Sequence, residues 1–331
     1  MYDLIILGGG PAGLTAAIYA LRRRLNVLLI SRDLGGKTNY RLQLPNISHH
    51  LVINGEETVS RFANEIEYLE FARVLDTVDR VEALETNGVA EGYRVHVRDG
   101  QEYTTRALIV ATGANARRLN VPGEEEYLGR GVVYSAVSYA SLFVDGVVAV
   151  VGDGPLALRS VAELAGIARR VTLVARTSDG LDSPLGRRLI GLPNVTLLTG
   201  YQVERIEGDT YARGLTLTRV SGQNGNGHAR DPHAEGDHRE IAADAIFVEL
   251  GLVPNTGLLN GVAALDDNGR VMVDTRNRAS RPGLFAAGDV TDVYAEQVLV
   301  AIGEGAKAAL AAYDYLLEHP VPQVAATPEW R

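Results

Sequence analysis

The chain has 331 residues and a formal net charge of -9, with 46% hydrophobic and 22% charged residues. This length suits two α/β domains of ordinary size, and the acidic balance argues against nucleic acid or an anionic membrane as a partner. Cysteine is absent, which excludes a disulfide framework, a thiolate metal site and thiol chemistry by this polypeptide. No apolar run reaches the roughly 20 residues of a membrane span. The opening strand lacks the basic start of a signal peptide, so we expect a cytoplasmic protein.

The first motif is a glycine-rich turn. A strand predicted over residues 3–7 runs into glycines in GxGxxG spacing, and a helix is predicted from there to about Arg23. The first glycine permits the tight turn, the second lets a pyrophosphate approach, and the third lets the helix pack on the strand. The helix N-terminus favours phosphate. The predicted dinucleotide contacts are Gly8, Gly10, Pro11, Ala12 and Gly13.

Two later segments extend this site. An acidic residue usually holds the adenosine ribose at the end of the second strand, but the strand predicted over 26–31 ends at Ser31, and the nearest acid is Asp33. We predict that Ser31 and Arg32 contact the nucleotide. After a helix predicted over 56–71, an apolar strand ends in a small-residue turn suited to a flavin or its diphosphate. That turn is Ala111, Thr112 and Gly113.

The second motif repeats the first. An apolar strand from residue 147 runs into Gly152, Gly154, Pro155 and Ala157, and a helix over about 156–167 and a strand over 171–175 are predicted to follow. Two such sites in one chain suggest two nucleotides, with electron transfer between them.

Three histidines lie in or beside the polar segment 222–237, namely His228, His233 and His238. They allow a metal site, but loose spacing in polar surroundings fits a solvated hairpin loop better, and we predict no metal.

The last segment has an apolar strand that ends at Gly288 and Asp289, followed by a long helix predicted over 297–318. Asp289 is either an acceptor for a ribityl hydroxyl of a flavin or a cap of the turn. The positive end of the helix can stabilise the negative charge of a reduced flavin.

Taken in order, these motifs resemble the thioredoxin reductase family of two-domain flavoproteins. The resemblance covers nearly the whole chain and depends on segments 8–13, 35–36, 111–114, 129–132, 152–154, 251–256 and 286–289. It implies an α/β fold of two Rossmann-like, three-layer dinucleotide-binding domains. An NAD(P) domain over 118–245 would be inserted into an FAD domain formed by 1–117 and 246–331. The cofactors would be FAD and NADPH or NADH, and the protein would be a homodimer. The related ferredoxin–NADP⁺ reductases are also similar, and they lack a dithiol.

The chain departs from this family where its redox dithiol, Cys-x-x-Cys, is expected. Ser135 and Ser138 occupy the two cysteine positions, and Tyr139 stands where the family has an acid. An alcohol forms no disulfide, so the dithiol relay is excluded and no catalytic side chain is predicted.

The nicotinamide site also departs from the family. Of the basic cluster that follows the second strand in NADPH-using members, only Arg176 remains. Either a nicotinamide cofactor still binds through Gly152, Gly154, Pro155 and Ala157, or the domain is vestigial and kept for packing. Asp153, inside the glycine turn, favours the second interpretation because its charge repels phosphate.

The flavin-ring contacts change as well. Where the family has Arg-Gln-Ala before its last helix, this chain has Glu296, Gln297 and Val298, and the backbone groups of Gln297 and Val298 are predicted to meet the ring. Lys37, after Gly36, replaces the usual glutamine and adds a cation. We also predict that Trp330 in the C-terminal tail, Tyr134 or Tyr139 stacks near the flavin.

These features predict an FAD-dependent oxidoreductase that passes electrons from NAD(P)H through flavin to an unidentified acceptor, such as a small redox protein, a quinone or another small molecule. The alternative is a flavin-binding redox sensor or interaction protein without NAD(P)H turnover.

Overall fold

The computed structural model describes residues 1–39, 60, 64, 72–86, 89–220 and 238–320. These residues form two units. The first takes 1–39, 72–115 and 253–320 with residues 60 and 64, and the second takes 116–252. The predicted helix over 56–71, His228, His233 and Trp330 lie wholly or largely outside the described residues.

The first unit is built on one mixed sheet. Its strands are β1 Tyr2–Leu7, β2 Val27–Ser31, β3 Arg73–Leu75, β4 Val78–Thr86, β5 Val89–Val97, β6 Glu102–Val110 and β17 Leu284–Ala286. They lie in the order β3-β2-β1-β6-β5-β4, with β17 also paired to β6. The strands β1, β2, β3, β6 and β17 run parallel, whereas β4, β5 and β6 are antiparallel neighbours.

Both faces of this sheet are covered, which explains why β1 and β2 are apolar at nearly every position. On one face, Leu4 and Ile6 pack with two helices, α1 (Pro11–Leu21) and the long C-terminal helix Val298–Glu318. On the other face, Ile5 and Leu7 pack with side chains of β4 and β5, which pair only with the first part of β6, residues 102–105. The result is a three-layer unit.

The second unit is built on a five-stranded parallel sheet. Its strands are β8 Val132–Val133, β9 Val147–Val151, β10 Arg170–Ala175, β11 Val195–Thr199 and β15 Ala245–Val248. They lie in the order β11-β10-β9-β15-β8. The helices of this unit are α2 Ala136–Tyr139, α3 Pro155–Ala165 and α4 Pro184–Ile190, and the C-terminal helix of the first unit is α5.

A small antiparallel sheet forms the third layer of the second unit. Its strands are β12 Tyr201–Gly208, β13 Ala212–Arg219 and β14 Arg239–Ala242. It packs on the face of the parallel sheet opposite the helices, through residues such as Leu215 and Leu217. The predicted fold class, α/β with two Rossmann-like units, is confirmed.

The chain passes from one unit to the other after residue 115 and returns after residue 252. Short strands at these crossings, β7 Ala114–Ala116 and β16 Leu252–Pro254, pair with each other. The predicted return point was residue 246, but β15 pairs with β9 in the second sheet. All four residues of β15 are buried there, so hydrophobic burial holds this strand in the second unit.

Candidate functional site

The turn after β1 is closed on two sides by backbone. A Cβ at Gly8 would collide with the carbonyl oxygen of Ala111, and a Cβ at Gly13 would collide with that of Gly8. Gly10 differs, because no heavy atom lies within 4 Å of the position its Cβ would take. Gly10 is therefore the point at which this turn is open to a ligand.

The first turn of α1 has unused hydrogen-bond donors. Gly10 precedes Pro11, the first helical residue, and no side chain caps the helix. The N–H groups of a helix's first turn lack partners within the helix and attract phosphate. An open glycine beside an uncapped helix fits the diphosphate of a dinucleotide, and the backbone of Ala12 and Gly13 belongs to the same turn.

Ser31, predicted to contact the nucleotide, is already bonded to the turn. Its hydroxyl accepts a 2.7 Å hydrogen bond from the Gly9 N–H and donates one of 2.7 Å to the Asp33 carbonyl. Only its remaining lone pair can accept a ribose hydroxyl. The Asp33 carboxylate accepts the Gly36 N–H at 3.0 Å, and Arg32 is exposed.

Lys37 and Asp289 form an ion pair between two of the segments predicted to contact the dinucleotide. Lys37 lies in a 3₁₀ turn, Gly36–Asn39, and Asp289 follows β17. The Lys37 Nζ and Asp289 Oδ2 atoms are 2.5 Å apart, and the Asp289 side chain is only 13% exposed. Asp289 therefore has an ionic partner that neither of its predicted roles included.

Asn255 organises the turn after β6, a role that sequence reasoning missed. Its side-chain amide donates to the Thr112 carbonyl at 2.8 Å, and its carbonyl accepts the Thr112 hydroxyl at 2.8 Å. Its N–H donates to the Gly113 carbonyl. The signal was present, since Asn255 lies in the motif segment 251–256, but its partners follow only from the folded structure.

The start of α5 lies over α1. A Cβ at Gly305 would collide with the Ala12 carbonyl, and one at Gly288 would lie 3.1 Å from the Ala12 Cβ. Gln297 precedes the helix, its side-chain amide donating to the Glu296 carbonyl at 2.9 Å, and Val298 packs against the core that contains Ala12. Of the predicted contacts in this region, Gly288 therefore lies directly against Ala12, and Val298 packs on the same core.

In the second glycine turn, too, one glycine is enclosed by its neighbours and another is open. A Cβ at Gly152 would lie 2.5 Å from the Glu249 carbonyl oxygen and 2.9 Å from the Ala157 Cβ, whereas Gly154 is open. Pro155 begins α3, which no side chain caps. This turn also fits a nucleotide phosphate.

Acidic residues follow the one predicted basic contact in the chain. Arg176 is exposed just after β10, and Asp179 and Asp182 lie in the following 3₁₀ turn. A Cβ at Gly180 would lie 2.6 Å from the Asp153 carbonyl oxygen, so this turn packs against the glycine turn. In the segment 176–182 two acids thus oppose one arginine, which disfavours a 2′-phosphate.

Ser135 and Ser138 are adjacent at the start of α2. The Ser135 hydroxyl accepts the Ser138 N–H at 3.3 Å and lies 3.1 Å from the Ser138 hydroxyl. The two oxygens thus have the close pairing that a dithiol would need, but they form a hydrogen bond. Tyr139 follows, half-buried against the core of the unit, and burial raises the pKa of its hydroxyl.

Glu249 is a buried carboxylate behind this pair, and sequence reasoning did not single it out. It is 3% exposed. Its Oε1 accepts the Ala136 N–H at 2.8 Å and the Ser160 hydroxyl at 2.9 Å. It therefore links α2 and α3 at the end of β15.

Tyr134 is held within the second unit. Its hydroxyl donates at 3.0 Å to Glu124, a buried carboxylate that also accepts the Leu119 and Asn120 N–H groups at 2.8 and 2.7 Å. Stacking of Tyr134 or Tyr139 on a flavin stays a prediction.

The described residues also bear on the third histidine, on metal binding and on membrane-spanning helices. His238 pairs with Glu204 at 3.0 Å. Within the described ranges, no group of three His, Asp or Glu side chains is placed to hold a metal. Among the same residues, no helix is long and apolar enough to cross a membrane.

Comparison with known proteins gives consistent results. The profile of a family described as pyridine nucleotide-disulphide oxidoreductase matches residues 2–305. Among curated relatives, alkyl hydroperoxide reductase F of Staphylococcus epidermidis is 33% identical over 319 residues, 96% of this chain and 60% of the relative. The Pseudomonas putida protein of that name is 34% identical over 97% of this chain and 59% of its own length. The chain thus spans about 60% of these relatives.

Solved structures agree. Thioredoxin reductase from Streptococcus pyogenes has a TM-score of 0.81 at 30% identity, covering 96% of this chain and 99% of that one. Thioredoxin reductase from Giardia duodenalis has a TM-score of 0.80 at 27% identity, with the same coverage. The resemblance drawn from the motifs is therefore confirmed.

Proposed function

Because the chain belongs to the pyridine nucleotide-disulphide oxidoreductase family, whose members use FAD and NAD(P)H, we propose that it is an FAD-dependent oxidoreductase that reduces its acceptor without a dithiol of its own. The pair of hydroxyls at Ser135 and Ser138, in a chain without cysteine, carries this proposal. FAD, when bound, supplies the hydride and electron transfer chemistry. The protein binds and orients it.

The Gly8–Gly13 turn with the segments that pack around it, which we call the first cradle, would hold FAD. The open Gly10 and uncapped α1 would meet the diphosphate, and the Lys37–Asp289 pair would fix the carboxylate that accepts a ribityl hydroxyl. The proposed FAD contacts are Gly8, Gly10, Pro11, Ala12, Gly13, Ser31, Arg32, Gly36, Lys37, Ala111, Thr112, Gly113, Gly288, Asp289, Gln297 and Val298.

The second cradle would hold the nicotinamide nucleotide through Gly152, Gly154, Pro155 and Ala157. Arg176 is the cation that directly follows β10, and Asp179 and Asp182 come soon after it. Like charges near a phosphate oppose its binding. We therefore propose NADH as the better electron donor.

The acceptor would be a small redox protein, a quinone or another small molecule. The relatives are named for alkyl hydroperoxide reductase and thioredoxin reductase. Either role would require this chain to pass electrons to a disulfide supplied from outside it. The predicted cytoplasmic location stays a prediction.

We also propose a homodimer, as in the related thioredoxin reductases. An apolar stripe on α5 supports it. Leu299, Leu310 and Leu317 are 58%, 38% and 61% exposed, and with Gly303 and Ala306 between them they recur at intervals of three, four and seven residues on one helix face. Exposed apolar stripes of this kind mark protein contacts.

The test is an anaerobic titration of the FAD-loaded protein with NADH and with NADPH, followed through the flavin absorbance. Fast bleaching, stronger with NADH, is the expected result. Oxidised Ser135→Cys/Ser138→Cys protein, titrated in parallel, should need one further equivalent of NADH if both positions adopt the geometry of a dithiol. A flavin that stays oxidised with both donors contradicts the proposal.

The alternative function, a flavin-binding redox sensor without turnover, is favoured by one observation, the acidic Asp153 in the second glycine turn. Asp153→Gly separates the two. If the wild-type flavin stays oxidised and Asp153→Gly restores bleaching, the second cradle is vestigial and the protein is a sensor.

A further inference from the structure

The second unit has an open cavity near the N-terminal ends of β9 and β10, whereas the Gly152–Gly154 turn follows the C-terminal end of β9. Its volume is about 810 Å³. Its wall includes Val147 and Arg170, the first residues of β9 and β10, whereas the glycine turn follows the last residue of β9. The other wall is β14 and the residues that follow it. The cavity is therefore distinct from the nucleotide cradle.

Positive charge predominates in this cavity although the chain is acidic overall. Four arginines line it, against two acids, Glu240 and Asp244. The Asp244 carboxylate already accepts the Val147 N–H at 2.8 Å. The four arginines are Arg169, Arg170, Arg213 and Arg239.

Two of these arginines have other interactions and two are available. Arg213 pairs with Asp209 at 3.3 Å, and Arg239 lies over the ring of Tyr201, 5.0 Å from its centre. Arg169 and Arg170 are exposed, and neither side chain has a hydrogen bond or ion pair within the described part of the chain. Both arginines line the cavity, and an anion bound there would compensate their positive charge.

The remaining walls can contact both polar and apolar parts of a ligand. Thr172 and Thr196 are paired in register on β10 and β11 and offer hydroxyl groups, while Leu198 and Ile241 add apolar surface. The volume lies in the range of small-molecule sites. The planar donor fork of arginine matches phosphate oxygens in a bidentate manner.

We propose that this cavity binds a small molecule carrying two or more phosphate groups, such as a nucleoside diphosphate. Arg169 and Arg170 bind the phosphates, and Thr172 and Thr196 face the rest of the ligand. This site is independent of the proposed oxidoreductase function, because it uses none of the residues of either glycine cradle.

Calorimetric titration of the FAD-loaded protein with inorganic pyrophosphate, at constant ionic strength, tests the proposal. Arg169→Ser/Arg170→Ser is expected to weaken binding at least tenfold, because two charged hydrogen-bond donors are lost. Arg187→Ser/Arg188→Ser is the control: it removes another exposed arginine pair, from α4 of the same unit, and should leave the affinity unchanged. Arg169→Lys/Arg170→Lys keeps the charge without the fork and should lose less.

Three results overturn the proposal: no binding of pyrophosphate to the wild type, equal affinity in both serine double variants, or loss only in Gly154→Asp, which would locate the anion at the glycine turn. If a polyglutamate peptide bound and pyrophosphate did not, the proposal would also be wrong, since the cavity would then be a docking surface for an acidic protein. Near-ultraviolet circular dichroism and FAD content verify that each variant is folded.

Discussion

Glu249 illustrates how much a single side chain contributes to the second unit. Its carboxylate is buried and accepts hydrogen bonds from the Ala136 backbone and the Ser160 hydroxyl. A buried donor that loses its acceptor costs free energy because it cannot recover a bond to water. Glu249 therefore stabilises the start of α2, which carries Ser135 and Ser138.

We expect Glu249→Ala to lower the free energy of unfolding by about 2–4 kcal/mol, since two buried donors lose their acceptor. Glu249→Gln keeps a carbonyl acceptor and should cost about 1 kcal/mol. Urea denaturation measures both. Glu163→Ala, on the exposed side of α3, should change stability by less than about 0.5 kcal/mol. Equal losses for Glu249→Gln and Glu249→Ala would contradict the role assigned to these hydrogen bonds.

Tyr139 gives a prediction at high pH. Burial raises the pKa of its hydroxyl in the folded protein, so the unfolded chain ionises first, near the ordinary pKa of about 10. The stability that the neutral phenol contributes is present below that pH and is lost as the pH rises through the folded-state pKa. Tyr139→Phe should therefore lose less unfolding free energy than the wild type between neutral pH and about pH 11.

Tyr294→Phe is the control for this measurement, because Tyr294 is 88% exposed and its substitution should leave the pH dependence unchanged. Identical pH profiles for Tyr139→Phe and the wild type would mean that ionisation of Tyr139 does not contribute to alkaline unfolding.

Some residue-level features were beyond sequence reasoning. The positions of Ser31, Lys37 and Asp289 in the chain marked them as candidates, but their partners lie at distant points in the sequence. The Ser31 hydroxyl bonds to Gly9, and Asp289 pairs with Lys37. Such contacts depend on how the segments pack, and no local pattern specifies them.

Among the elements, the glycine turn and α1 form the part of the first cradle that can be tested most directly. Gly10→Ala adds a Cβ into open space at an extended backbone conformation, whereas Gly13→Ala forces a Cβ into the Gly8 carbonyl. We expect Gly10→Ala to keep the stability of the FAD-free protein and to weaken FAD binding at least tenfold, by obstructing the approach of the diphosphate.

Gly13→Ala should instead destabilise the FAD-free protein by about 1–3 kcal/mol, in the manner of other overpacked sites. Thermal unfolding without FAD and a fluorescence titration with FAD separate the two effects. If Gly10→Ala bound FAD as the wild type does, the diphosphate would have to lie elsewhere.

Element boundaries show which local signals are reliable. The start of α1 at Pro11 was predicted, because proline favours a first helical position. The helix ends at Leu21 rather than near Arg23, since Arg24 has a left-handed backbone conformation with φ 59°. The segment from residue 246 was assigned to the FAD domain, whereas Ala245–Val248 forms a strand of the second sheet; a fully apolar segment suits the buried centre of either sheet, so its composition did not decide between them.

At the scale of the whole molecule, the stripe on α5 predicts the assembly state. Leu310→Asp places a charge on that stripe and should convert a dimer to a monomer, because burying an unpaired carboxylate in an interface costs several kcal/mol. Light scattering coupled to size exclusion measures the mass. Val144→Asp, at a valine 65% exposed in the second unit, should stay dimeric. A dimer in both variants would locate the interface away from α5.

The ends of the second unit lie side by side, since the Arg117 N–H donates to the Gly251 carbonyl at 2.9 Å. A unit whose first and last residues are adjacent can be inserted or removed at a single site, because the host chain is interrupted at only one point. Gene fusion or deletion at this point would add or remove the whole Rossmann-like unit and leave the strand order of the seven-stranded host sheet unchanged. The same adjacency makes the unit a natural candidate for circular permutation, with a short linker joining its present ends and new termini opened in an exposed loop.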